Sequence, residues 1–424
     1  MRNPRRQRSL CRRHVAALVR GLLRVAPLFA VAACGGPTTA TIELHDLAVR
    51  GGRDLSVLPG DAAIVASVDA GLPSVDSASA PPVDSAGRPL LDASVAPAVD
   101  ATVTPPGDAA IAAGPGTVIG PCRIFPPDNP WNQDVSAAPV SANASTWLAT
   151  MHTTSTLHAD WGTVADQYGI PYSLGTGAPP QHMTWTTSWG AAESDQIACS
   201  DGYPFCYPIP LTASIEGGPQ SSSGSDRHVL YLDTAGAPDH CTLYEIYNAQ
   251  NPGSSGWSAQ NGAVFPLGTN ALRPDGWTSS DAAGLPVLPG LVRYDEVKAG
   301  LITHALRFTL SSTYQGYIHP ATHAAGSSNI SLPPMGLRLR LRRSVDISGF
   351  SKEAQVVLTA MKTYGLILAD NGSNWFISGD TNDGWSTPSS GGNTVIDNIT
   401  SAFGKVHGSD FEIVDTGTLS AAGL

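Results

Sequence analysis

Residues 290–310, GLVRYDEVKAGLITHALRFTL, bring Arg293, Asp295, Glu296, Lys298, His304 and Arg307 together in a chain that is only 14% charged. A carboxylate beside a guanidinium and an imidazole suits general acid–base catalysis, because such neighbours set its pKa. Read as a strand, the segment places Asp295 and Glu296 on opposite faces, so one of them can enter a cleft, and Arg293 shares a face with Asp295. Glu296 is then the candidate acid or base, tuned by Arg293 or His304. The plainer reading is an Arg–Asp ladder on a sheet surface, each pair contributing under ~1 kcal/mol. His304 falls on the apolar face of LITHALRFTL with Ile302, Leu306, Phe308 and Leu310. An unpaired imidazole is costly there, so His304 requires a partner or lines a cavity.

Other stretches offer further chemistry. YIHPATH sets His319 and His323 four residues apart, on one face of a strand. Two imidazoles begin a metal site, but a third ligand is wanted and the segment holds no acid. No metal or other cofactor is assigned, and His319 stands instead as a proton-transfer candidate. LRLRLRR predicts Leu337, Leu339 and Leu341 inward and Arg338, Arg340 and Arg342 outward. Such a row either pairs with acids on the next strand or receives the carboxylates of an acidic polysaccharide, with Arg338 and Arg340 as the binding residues. AESDQ places Glu193 and Asp195 on one face if it is a strand, and paired carboxylates serve glycoside hydrolysis. GDTNDGW, residues 379–385, has part of a calcium loop in Asp380, Asn382 and Asp383 but lacks the later glutamate, so an Asx-rich turn is the simpler reading. Trp257, Trp277, Trp375 and Trp385 sit in Gly-, Ser- or Asn-rich surroundings, where an exposed indole makes a platform for a sugar ring. Trp277 and Trp375 are the candidate platforms.

Several chemistries are excluded. The chain has no G-x-S-x-G elbow, no H-E-x-x-H, no P-loop and no G-x-G-x-x-G after a strand. Residues 118–424 carry 13 basic residues against 25 acidic ones, the wrong balance for a nucleic-acid partner.

The elements that must position these groups read mainly as strands. RHVLYLDT and CTLYEIYN are β-branched and aromatic runs separated by the turn-rich AGAPDH. GLILADNGSNWFIS carries Asn371-Gly372, the signal of a two-residue hairpin. One amphipathic helix is predicted near the C-terminus in SKEAQVVLTAMKTYG, with Ser351 as N-cap and Gly365 as stop. Many strands, abundant Gly and Pro and few helices predict a mainly β domain, a β-sandwich or jelly roll, over residues 118–424. Four of the six cysteines lie there and permit three pairings. One pairing closes the short CSDGYPFC loop, Cys199 to Cys206, and leaves Cys122 for Cys241.

The N-terminal part differs in kind. Residues 1–33 hold eight arginines and no acid, then a short apolar run ending in VAAC, Val31 to Cys34. This resembles the lipobox of bacterial lipoproteins, which implies a signal peptide over 1–33, lipidation of Cys34, and export to the cell envelope, at the outer membrane or cell surface. The lipid bilayer is then a partner through the acyl anchor. Residues 34–117 contain no aromatic residue and, beyond Cys34, no cysteine; aspartates recur at seven- or eight-residue spacing from Asp61 to Asp108. That composition predicts a disordered Ala/Pro/Asp-rich linker, a stalk. Stalk, β-rich domain, loop tryptophans and excess carboxylate together give the functional expectation. It is a carbohydrate-active domain, a glycoside hydrolase using paired carboxylates. The alternatives are a polysaccharide lyase using His and Arg, or a glycan-binding or adhesion domain without turnover.

Overall fold

A computed structural model describes residues 116–219, 226–254 and 256–421. The signal segment, Cys34 and almost all of the linker lie outside the described residues. Among the described residues, no helix is long and apolar enough to cross a membrane.

The described chain is mainly strand, in several sheets, with few helices. The strands are numbered β1–β17 along the chain. A hairpin of β1 (Thr117–Ile119) and β2 (Cys122–Ile124) opens the fold. A four-stranded sheet has the order β10 (Asn261–Pro266), β8 (Thr242–Tyr247), β7 (Val229–Asp233), β4 (Tyr172–Gly175). A six-stranded sheet runs β16 (Phe411–Ile413), β13 (Arg338–Leu341), β14 (Leu366–Asn371), β11 (Leu306–Leu310), β15 (Phe376–Ser378), β3 (His158–Asp160). Smaller sheets join β6 (Cys206–Tyr207), β5 (Gln181–Trp185) and β9 (Trp257–Ala259), and β12 (Gly316–Ile318) with β17 (Leu419–Ala421).

The two-residue period of β7 assigns its faces. Leu230 and Leu232 join the large core with Phe308, Leu368 and Ile377 of the six-stranded sheet, whereas Val229 and Tyr231 join a second core with Met183, Tyr207 and Trp257. The four-stranded sheet is therefore buried on both faces, and each fully buried Leu or Phe side chain stabilises it by ~1.5–3 kcal/mol. Disulfides join Cys122 to Cys241 and Cys199 to Cys206. The first ties the opening hairpin to the start of β8.

The helix Lys352–Thr363 is capped by Ser351, whose hydroxyl accepts from the Ala354 N–H. Gly365 follows it at φ 76°, where a β-carbon would run into the Leu339 carbonyl, so any side chain there would clash. A second helix, Val395–Phe403, was not evident in the sequence; Thr394 and Asp397 form its capping box.

Three local expectations are corrected. Residues 290–310 are strand only over Leu306–Leu310, and the charged part before it is helical. Pro289 initiates a 3-10 turn at Leu288–Gly290, and Arg293 is the N-cap residue of a short helix, Tyr294–Ala299, which Gly300 ends at φ 85°. Asp295 and Glu296 in its first turn and Lys298 in its last complement the helix dipole. Asn371-Gly372 does not turn a hairpin: β14 pairs parallel with one edge of β11 and β15 antiparallel with the other, so the chain crosses over β11. Finally, β13 is an interior strand, so the arginines of LRLRLRR do not all face solvent. Arg338 is buried and donates to the carbonyls of Tyr364, Gln133 and Pro130. Arg340 pairs with Glu412 at 2.7 Å and donates to the Val135 and Ala138 carbonyls. These forks fasten residues 130–138 to the sheet and are not displayed as a polysaccharide-binding row.

Candidate functional site

The expected cluster around Glu296 exists, with a different geometry. The short helix puts Glu296 one turn from Arg293, not opposite it. Glu296 Oε1 accepts from Arg293 Nη2 at 2.6 Å and Thr117 Oγ1 at 2.8 Å, and Oε2 lies 3.1 Å from His304 Nε2. His304 is fully buried, and its Nδ1 donates to the Ala305 carbonyl at 2.7 Å. Asp295 is exposed and takes no part. Burial alone would raise the Glu296 pKa, but Arg293, His304 and the hydrogen bonds from His304 and Thr117 outweigh it and hold the carboxyl at about 2.

This cluster links β1, the short helix and the run into β11, which is a stabilising arrangement. A folded pKa below the ordinary 4.5 means that its contribution is complete above about pH 4.5 and fades as pH falls towards 2. The shift corresponds to about 3 kcal/mol. Glu296→Gln is expected to lower the melting temperature at pH 7, with the gap from the parent closing as the pH approaches 3. A gap that stays constant with pH in thermal melts would refute this role.

The other candidates are dispersed. His319 Nε2 meets exposed Asp275 at 2.8 Å, whereas His323 Nδ1 donates to the Ala282 carbonyl at 2.7 Å, so the two histidines do not share a site. His182 lies close to Cys199 and Cys206, but those sulfurs are joined to each other and offer no thiolate for a metal. Trp375 is core: its indole is fully buried and donates to the Met151 carbonyl at 2.7 Å. Trp257 and Trp385 are buried too. Trp277 is half-buried, with the Arg273 guanidinium 5.6 Å from its ring centroid. Asp380 is buried, accepting from the Tyr294 N–H and the Trp385 indole, and Asn382 makes an Asx turn by accepting from the Gly384 N–H at 2.9 Å.

Acids instead converge at an open cleft of about 470 Å³ between residues 278–282, the end of β14 and the helix Gly190–Glu193. Asp281 and Asp370 both approach one nitrogen of Arg307. Arg307 Nη2 is 2.8 Å from Asp281 Oδ2 and 3.9 Å from Asp370 Oδ2, while Nη1 donates to Ser378 Oγ. Asp281 is sealed from solvent and also accepts from the Ala283 N–H. The Asp370 side chain keeps 22% of its surface exposed. Burial, then repulsion from Asp281, pushes the Asp370 pKa up to about 7, with Arg307 opposing. Burial raises Asp281 as well, against Arg307 and the Ala283 N–H. The closer ion pair keeps the charge on Asp281 and leaves the proton to Asp370.

A second tier fixes the loop that bears Asp281. Buried Glu245 of β8 accepts from Ser280 Oγ at 2.8 Å and from the Val287 and Leu288 N–H groups at 3.0 Å. His228 bridges Glu216 Oε2 at 2.7 Å and the Ser280 carbonyl at 2.8 Å. Burial disfavours a charged imidazole there, but Glu216 raises the His228 pKa to about 9. Both ring nitrogens therefore donate, and Ser280 is gripped from two sides.

Glu193 stands on the cleft wall. Its Oε2 accepts from the Thr278 N–H at 3.1 Å, and Arg273 Nη2 holds its carbonyl at 2.7 Å. Asp195 does not join it: Asp195 pairs with Arg273 at 3.1 Å and accepts from the Val264 N–H. Trp189, 36% exposed, and Tyr247 complete an aromatic rim, and His323 lines the same cleft. Sequence reasoning raised Glu193 and His323 for other reasons and missed Asp281 and Asp370. The available signal was an acid closing the apolar run LILAD and an arginine inside a buried strand, each of which demands a partner.

No family model matches this chain, and no curated protein or solved structure matches it either.

Proposed function

We propose that the folded part is a carbohydrate-active enzyme, a glycoside hydrolase whose working carboxyls are Asp370 and Glu193. The arrangement that carries this reading is a partly exposed acid sharing a guanidinium with a sealed one, in a cleft that a further carboxylate and an exposed indole also line. Asp370, holding its proton near neutrality, donates it to the glycosidic oxygen as the C–O bond breaks. Glu193 acts at the anomeric carbon, either by activating water or by direct attack, as the separation of the two carboxyls dictates. Trp189 stacks on a sugar face. Asp281, held in place by Arg307, repels a second charge, and with burial this keeps Asp370 protonated. The layering of the four- and six-stranded sheets about one core is the sandwich-like frame proposed to carry the cleft. Anchoring through lipidated Cys34 at the cell envelope, with residues 34–117 as stalk, would present that cleft to external polysaccharide.

The test is incubation of the full chain, disulfides intact, with neutral, amino and acidic polysaccharides, followed by mass spectrometry. Shortened products that have gained water are the expected result. Unsaturated ends would point to a lyase, and substrates left intact across the panel would overturn catalysis in favour of a binding module.

A further inference from the structure

We infer that the cleft is selective for glycans bearing free amino groups, that is, polymers of de-N-acetylated hexosamine. This deepens the hydrolase reading and rests on it. The ionisable side chains lining the cleft are Glu193, Asp281, Asp370, Tyr247 and His323, with no lysine or arginine among them. The nearest guanidiniums are committed elsewhere: Arg307 is buried against Asp281 and Ser378, and Arg273 is buried against Asp195 and the backbone of Glu193. A uronate or a sulfated sugar would therefore meet carboxylates with no fork to receive it.

An ammonium group meets the opposite situation. Oε2 of Glu193 is held by the Thr278 N–H, while Oε1 has no protein donor among the described residues. That oxygen is available to a cation inside the cleft. The exposed indole of Trp189 attracts an ammonium through its quadrupole as well as stacking on sugar C–H groups. The surrounding fold reinforces the field, since residues 118–424 carry 25 acidic against 13 basic groups. A neutral glycan receives the stacking alone.

The cation has a second effect on the same site. Positive charge near Asp370 favours its ionised form, so a bound amino sugar draws the proton away at lower pH than a neutral sugar does. The high-pH limb of cleavage should therefore lie lower for an amino substrate than for its N-acetylated counterpart of identical linkage.

The experiment uses the full chain with two probes, a β-1,4 glucosamine hexamer and the matching N-acetylglucosamine hexamer. Cleavage is followed by mass spectrometry and binding by calorimetry, with Asp370→Asn for the binding arm. The glucosamine hexamer should be preferred by about tenfold or more in kcat/KM at low salt, the preference shrinking between ~0.05 and ~0.5 M salt as charges are screened. Equal or better cleavage of the acetylated hexamer overturns the selectivity and leaves the hydrolase reading standing. Tight binding of the glucosamine hexamer without cleavage supports the selectivity and overturns hydrolysis. If neither probe is bound or cleaved, the selectivity is overturned, and the polysaccharide panel then decides the hydrolase reading alone.

Discussion

Asp370→Asn is expected to lower kcat for glycan cleavage by about 10²–10⁴-fold, the loss that follows removal of a positioned general acid. The side chain is nearly isosteric, but the amide has no carboxyl proton to transfer. Arg307 remains paired with Asp281 at 2.8 Å, so the substitution strands no charge. Stability should move the other way. The Asp370 pKa is raised from 3.8 to about 7, so its proton stabilises the fold at low pH and that contribution is lost as pH rises through about 7. At pH 8 the parent holds two neighbouring carboxylates near one guanidinium, and the variant holds one. The variant should therefore melt at an equal or higher temperature at pH 8 while being nearly inactive. Retained turnover would remove Asp370 from the chemistry, and a lower melting temperature at pH 8 would contradict the electrostatic account.

Arg307→Met should be the most damaging change to the fold. Asp281 is sealed from solvent, and Arg307 Nη2 supplies its countercharge. Removing one partner of a buried pair typically costs about 3–5 kcal/mol, because the other charge is left uncompensated. Chemical denaturation of the single variant should show a loss in that range. The double variant Arg307→Met with Asp281→Asn should recover much of it, since no buried charge then remains alone. A double variant no more stable than the single one would show that packing of the long side chain, rather than charge, is what Arg307 contributes.

What was legible in the sequence follows from how local each cause is. The helix stop at Gly365, the Ser351 cap and the two strand runs ahead of β10 depend on neighbours in sequence, and the structure contains each of them. Asn371-Gly372 has the same local chemistry as a hairpin turn, but β11 competes for the edges of both flanking strands and separates them. In LRLRLRR the period is that of a strand, yet the pattern carries no information on which side the chain from 130 to 138 would lie. The cleft was the hardest part to read. Its acids come from residues 193, 281 and 370, so no window of sequence contains two of them. His304 shows the middle case: the need for a partner was readable from its apolar surroundings, while the partner's geometry depended on a helix that the Arg-Tyr-Asp-Glu run did not advertise.

The strand order of the six-stranded sheet has a consequence for biosynthesis. Its outermost strands are β3, at residues 158–160, and β16, at residues 411–413, and β13 pairs with β14 on one side and β16 on the other. A chain emerging from the ribosome N-terminus first can assemble β7, β8 and β10 early, because they follow one another closely. The sheet that bears Arg307 and Asp370 stays unfinished until residues 411–413 have appeared. Loop closures of this length are slow. The cleft residues, 189 to 370, are all made before β16, so the sheet behind Arg307 and Asp370 gains its far edge only after the cleft's own side chains have been synthesised.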